Sequence, residues 1–257
     1  MGAAFYIIFN TMKNEQFYNV ASEYYDEMIS FKSALDRKRE VLRKVVTGNM
    51  KAAADLGCGT GIDAIALDGL GLKVSAFDPS DKMINQAKTN AGLAGASINF
   101  NNYSIHNIPN KFDNQFELVV SLGNTFANIA KEKFEYSLQK CYNILSRKGV
   151  IFIQILNYHK VIREKNRIVN ITRGLDQYFI RFYDFGENQI VFNILQFDKS
   201  KPSDQKLIST EIHPYSADDF TKMLKKAGFK NINYYGSFNF TPFDPQTSND
   251  LIINSVK

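Results

Sequence analysis

Apolar residues recur every three or four positions over 14–48: Phe17, Tyr18, Ala21, Tyr24, Tyr25 and Met28, then Leu35, Val41, Leu42 and Val45. That spacing predicts helix, and Gly48 marks its end. The texture then changes to short apolar runs at 52–55, 74–77, 98–100, 118–122 and 150–156, with helix-period segments at about 62–69, 80–92 and 130–146 between them. Strands alternating with helices predict a mostly parallel sheet covered on both faces.

From 157 to 212 the alternation stops. Tyr178–Phe185, Gln189–Phe197 and Leu207–Ile212 read as successive antiparallel strands, with Gly186-Glu187-Asn188 supplying turn chemistry for the first hairpin. A helix follows over 217–227, with Ser216 as N-cap and Gly228 as C-cap, and strands near 231–238 and 250–256 complete the chain. The expected organisation is one α/β domain over 1–257. Its core is 50–156 with 213–257, 14–48 forms a helical segment in front, and 157–212 is an inserted antiparallel sheet. No internal repeat or low-complexity tract interrupts it.

Composition narrows the class. The 257 residues are 44% hydrophobic and 13% aromatic, enough apolar surface to order one sizeable core. Two cysteines, Cys58 and Cys141, make no disulfide framework, so a reducing, cytoplasmic setting is expected. No apolar run approaches the roughly 20 residues of a membrane span, and 1–10 carries no basic n-region, so it reads as neither signal nor anchor. The net charge of +5 permits nucleic-acid binding, but lysines alternate with acids at 36–40 and 131–135, the pattern of solvated helix faces. His106, His159 and His213 share no ligand spacing with a cysteine, and no metal site is expected.

The chemistry concentrates at Asp55-Leu56-Gly57-Cys58-Gly59-Thr60-Gly61, between the first strand of the alternating region and its helix. Glycines at 57, 59 and 61 let the backbone turn sharply and bring helix N-terminal N–H groups close to a ligand. Some twenty residues on, the second strand ends at Asp78, where a carboxylate can accept from a ribose diol. A nucleotide-like ligand is therefore expected. Ile62 stands where a dinucleotide fingerprint needs its third glycine, and no Gly-Lys-Ser/Thr follows to make a P-loop.

These residues resemble motif I and the following acid of the class I S-adenosylmethionine-dependent methyltransferases. The resemblance implies a Rossmann-like fold with a mostly parallel seven-stranded sheet, and S-adenosylmethionine as cofactor with S-adenosylhomocysteine as product. It implies that Asp55, Gly57, Cys58, Gly59, Thr60 and Gly61 form the cofactor turn and that Asp78 takes the ribose. Pro79 and Met83 would then lie near the adenine. The stretch 100–109 is similar to the family's third motif, with Ser104 in place of its usual acid and Ile105 beside it.

Two further stretches are similar to the glycine N-methyltransferase-like small-molecule group: 116–129, which brings Leu122, Gly123 and Asn124 to the end of the fourth strand, and 17–28, like a helix that closes over the cofactor. That likeness implies Tyr25 and Arg37, or Tyr18, at the cofactor carboxylate. Leu156 stands where those relatives carry the arginine that grips a substrate carboxylate, leaving Arg167, Arg173 and Arg181 of the insertion as substitutes.

Methyl transfer is an in-line displacement that positioning alone accelerates greatly, so no triad or metal is demanded. Asn124, His213 and Tyr215 are the candidates for orienting or deprotonating the acceptor. A small-molecule acceptor is expected, an amine ahead of a hydroxyl, on a monomer or homodimer without membrane or nucleic-acid partners. The competing readings are an RNA or DNA methyltransferase, drawn from the basic positions Lys160, Arg163, Lys165, Arg167 and Arg173, and a cofactor-binding module without transfer.

Overall fold

In the computed structural model, residues 11–187 and 189–257 are described; the readings of 1–10 and of Asn188 in the hairpin turn fall outside them. The predicted N-terminal helix is three: α1 (Asn14–Ala21), α2 (Tyr25–Ile29) and α3 (Phe31–Arg43). A turn at 22–24 ends the first. Ser30, in the left-handed region at φ 55°, breaks the second from the third, which uninterrupted apolar spacing does not reveal.

The core alternates as expected: β1 (Ala52–Leu56), α4 (Ile62–Asp68), β2 (Lys73–Phe77), α5 (Asp81–Ala94), β3 (Ile98–Asn101), β4 (Phe116–Ser121), α6 (Lys131–Ile144) and β5 (Leu145–Leu156). After the insertion come α8 (Ala217–Ala227), β10 (Lys230–Tyr235) and β11 (Asp250–Val256). The sheet order is β10-β11-β5-β4-β1-β2-β3, with β11 antiparallel to β5 and to β10 and the other pairs parallel.

Side chains alternate across this sheet, and both faces are buried. Ala54, Val119, Ile153 and Leu251 pack against α6 and α8 on one face. On the other, Ala53, Leu118, Val120 and Ile252 pack in one core with Leu35 and Leu42 of α3 and Ile65 of α4. Ser216 and Asp219 form a reciprocal cap at the start of α8, and Gly228 ends it at φ 105°.

The insertion contains one helix and one strand more than the pattern showed. Between β5 and the expected strands lie α7 (Tyr158–Glu164) and β6 (Ile168–Arg173), and the antiparallel sheet continues through β7 (Gln177–Phe185), β8 (Ile190–Asp198) and β9 (Gln205–Ile212). As the sheet's edge, β6 leaves Ile168, Val169 and Ile171 exposed, so no alternating apolar face marks it. Phe17, Ala21, Tyr24 and Met28 of α1–α2 bury against Phe179, Ile194 and Ile208 of this sheet and Met83 of α5. That packing fixes the N-terminal helices over the carboxyl ends of β1, β2 and β4. No helix among the described residues is long and apolar enough to cross a membrane.

Candidate functional site

A cavity of about 1030 Å³ opens at those strand ends, walled by α1–α3 and by β6–β7 of the insertion. Its floor is the turn after β1. Gly57, at φ 75°, lies so close to Thr125 that a Cβ would stand 2.2 Å from the threonine Cγ2. Gly59, at φ 52°, has nothing within 4 Å of its own Cβ position, which leaves its backbone open to a ligand. Gly61 does neither: its Cβ would meet Ala87 of α5 at 3.1 Å, so it serves helix packing and does not border the cavity.

Asp78, buried at the end of β2, accepts Gly59 N–H through Oδ2 and Ser80 N–H through Oδ1, both at 2.9 Å. Burial pushes its pKa up to about 6 against the lowering effect of those two bonds. Each oxygen keeps a lone pair for a further donor on the cavity side. The Thr60 hydroxyl is buried with no partner among the described residues. A carboxylate with capacity to spare, an unobstructed glycine and an orphaned hydroxyl fit a nucleoside carrying a vicinal diol.

Tyr18 and Tyr25 reach the cavity from α1 and α2, their rings 6.4 Å apart edge to face. Burial raises the pKa of both, so both hydroxyls stay protonated at neutral pH. Arg37 and Lys38 of α3 line the cavity, and Lys38 pairs with Asp63 of α4 at 3.0 Å. Cys58, Pro79, Met83, Ser104, Ile105, Leu122 and Gly123 also line the cavity. Asp55 does not: it is buried behind the turn, where desolvation and the neighbouring Asp63 raise its pKa. Burial likewise raises the Cys58 thiol, leaving it inert.

The three acceptor-side candidates stand elsewhere. Asn124, at φ 70°, turns from the cavity, donating to the Tyr158 hydroxyl at 2.7 Å and accepting from Leu156 N–H at 3.0 Å. It ties the β4 loop to the end of β5. Tyr215 stacks on Phe134 with centroids 3.8 Å apart and donates to the Ile129 carbonyl at 2.7 Å, beside a separate small depression. His213 is held by its backbone N–H to Ala127 O and lines neither the cavity nor that depression. Their strand-end positions in sequence placed them near the site, but packing had already claimed the side-chain polar atoms of Asn124 and Tyr215.

In their place the cavity carries Asn128, Asn170, Thr172 and Arg181. Asn128 accepts from Asn14 of α1 at 2.8 Å and donates to the Asn124 carbonyl at 3.2 Å. Asn170 and Thr172 belong to β6, the strand the pattern did not reveal; their spacing of two, once the strand is known, puts both on one face. Among the described residues no group of three or more potential metal ligands exists.

The sheet order, the glycine turn after β1 and the acid ending β2 define the architecture of the class I methyltransferases. Residues 53–149 match the methyltransferase domain family, and the chain is an S-adenosylmethionine-dependent methyltransferase. It is similar to the glycine/sarcosine N-methyltransferase of Parasynechococcus marenigrum, 22% identical over 83% of this chain and 76% of that one. It is also similar to the carboxy-S-adenosyl-L-methionine synthase of Nautilia profundicola, 25% identical over 86% and 88%. An S-adenosylmethionine-dependent methyltransferase from Clostridium acetobutylicum shares the fold with a TM-score of 0.74 at 19% identity, over 93% of this chain and 98% of that one.

Proposed function

We propose that the chain methylates a small-molecule acceptor, an amine ahead of a hydroxyl, and that the cavity over Asp78 holds both reactants. The observation that carries this reading is the cavity in which the glycine turn, Asp78 and the N-terminal helices face the inserted sheet. Asp78 receives the ribose diol, Gly59 offers open backbone, and Met83, Pro79 and Ile105 supply the apolar surface for the adenine. Arg37 and Lys38 lie where the methionine carboxylate would reach. When bound, the sulfonium supplies an electrophilic methyl carbon.

The protein's share is positioning and exclusion of water. Holding a nucleophile in line is worth up to roughly 7–11 kcal/mol, enough to need no covalent intermediate. A hydroxyl acceptor must lose its proton to a base during attack. The cavity-facing hydroxyls of Tyr18 and Tyr25 have raised pKa values and serve as hydrogen-bond partners, not as bases. An amine must be presented unprotonated, but once neutral it attacks through its lone pair with no proton to give up in the same step and asks only for such partners, which favours N-methylation. The helices α1–α3 act as a lid, and their burial of Phe17 and Met28 against the inserted sheet couples closure to both halves of the site.

A nucleic-acid acceptor is disfavoured because three of the five residues of its suspected basic cluster have partners. Arg167 pairs with Asp184, Arg163 with Glu164 and Gln246, and Lys160 with Asn249. A reducing cytoplasm suits two free, buried cysteines. The test is transfer from methyl-labelled S-adenosylmethionine into separate pools of amines, hydroxyl compounds, carboxylates and RNA. Label in the amine pool supports the reading; label only in RNA removes it.

A further inference from the structure

The three arginines of the insertion separate in space. Arg167 is committed to Asp184 and the Tyr183 carbonyl, and Arg173 stands exposed on β6 away from the cavity. Arg181, midway along β7, borders the cavity. Its Nε–H donates to Asn170 Oδ1 at 2.6 Å. Among the described residues no carboxylate lies within ion-pair distance of it, and the groups that act on its charge are the hydroxyls of Tyr25, Tyr183 and Tyr18. These are neutral and leave the charge unbalanced.

A largely buried cation without a counter-ion is costly to maintain. The cost is met when a ligand brings the missing charge. With Nε spent on Asn170, the Nη1 and Nη2 edge of the guanidinium remains, the pair of donors that takes a carboxylate through two parallel bonds. The donor's own carboxylate has other cations to meet in Arg37 and Lys38, which line the cavity from α3, so the wall built by the inserted sheet is free for the other reactant.

We propose that Arg181 recognises a carboxylate on the methyl acceptor, with Asn170 fixing the plane of the guanidinium and Thr172 adding a hydroxyl on the same wall. This rests on the reading of the cavity as a small-molecule methylation site. One guanidinium among neutral hydroxyls balances a single negative charge, which suits a carboxylate and not a phosphate dianion. The residue arrives from β7, not from the end of β5 where Leu156 stands, so the insertion itself sets acceptor specificity.

The test titrates acetate and inorganic phosphate into the intact protein saturated with S-adenosylhomocysteine, read by saturation-transfer NMR and calorimetry. Acetate is expected to bind. Arg181→Gln should weaken it by at least about tenfold, the size of one charge-assisted bidentate contact, with Arg181→Lys recovering part of the loss. S-adenosylhomocysteine affinity should stay within threefold in both variants, and circular dichroism checks their folding; if the Gln variant does not fold, the Lys and Asn170→Ala variants carry the comparison.

In turnover, Arg181→Gln should raise KM for 4-aminobutyrate without raising it for butylamine. Equal acetate binding in native and Arg181→Gln protein overturns the proposal. So does phosphate binding more tightly than acetate, or loss of S-adenosylhomocysteine affinity, which assigns Arg181 to the donor. Acetate bound through Arg181 with no methyl transfer to any amine supports the anion site while removing the reaction it was argued to serve.

Discussion

Replacing Asp78 by Asn separates the two roles of that carboxylate. In the native fold its oxygens accept Gly59 N–H and Ser80 N–H, yet burial still holds its pKa at about 6. Moving a carboxyl from 3.8 to about 6 means that ionisation costs the fold about 3 kcal/mol at neutral pH. The sign follows from proton counts. Between pH 4 and 6 the unfolded chain has released its proton while the native chain holds it, so stability falls as pH rises through that window and stays lower above it. Asn removes this cost, but its amide nitrogen cannot accept one of the backbone N–H groups, a loss of roughly 1–3 kcal/mol.

The two effects offset, and the Tm of Asp78→Asn should shift by only a few degrees. Cofactor binding should collapse instead. Two charge-assisted bonds from a ribose diol are worth roughly 1.5–3 kcal/mol each, so S-adenosylhomocysteine should bind roughly 10²- to 10⁴-fold more weakly. Calorimetry from pH 5 to 8 adds a second signature. Native affinity should drop as pH falls below about 6 and Asp78 takes up its proton, while the Asn variant shows no such dependence. A loss of less than tenfold, or the same pH profile in both proteins, refutes the assignment of Asp78 to the ribose.

Gly57→Ala forces a Cβ to 2.2 Å from Thr125 Cγ2 at a left-handed φ and should cost roughly 2–5 kcal/mol in thermal melts. Gly59→Ala, with open space around it, should cost only about 1–2 kcal/mol of stability yet weaken S-adenosylhomocysteine more than tenfold by calorimetry, because its methyl enters the ligand's space. Tyr215→Phe should leave kcat and KM within twofold and lower stability by about 1 kcal/mol, since its hydroxyl serves the Ile129 carbonyl. A specific loss of kcat there would return Tyr215 to the acceptor site.

The alternating core was legible because strand and helix periods differ and both sheet faces are buried, so β1 through β5 and α4 through α6 stand within a few residues of their expected places. The glycine turn after β1 was legible for a different reason: Gly57 and Gly59 are required by backbone geometry that composition cannot disguise. The breaks at 22–24 and Ser30 were not, because a polar residue in a left-handed conformation leaves the apolar spacing intact on both sides. Nor was β6, whose apolar residues face solvent at a sheet edge.

The wall that the insertion gives the cavity failed to read for that last reason. Asn170 and Thr172 lie on the unmarked strand, and Arg181 could not be told from Arg167 and Arg173 until Asp184 was seen to occupy Arg167. Asn124 and Tyr215 carry the right chemical groups in the right stretch of chain. Their bonds to Tyr158, Leu156 and Ile129 are tertiary facts, and sequence spacing has no access to them.

The most direct measurement follows tritiated methyl groups from S-adenosylmethionine into pooled small amines, with RNA and hydroxyl compounds as parallel acceptors and Asp78→Asn as the control. The expected result is label in a small methylated amine that disappears in the control. Label confined to RNA, or none in any pool while S-adenosylhomocysteine still binds at Asp78, would contradict it.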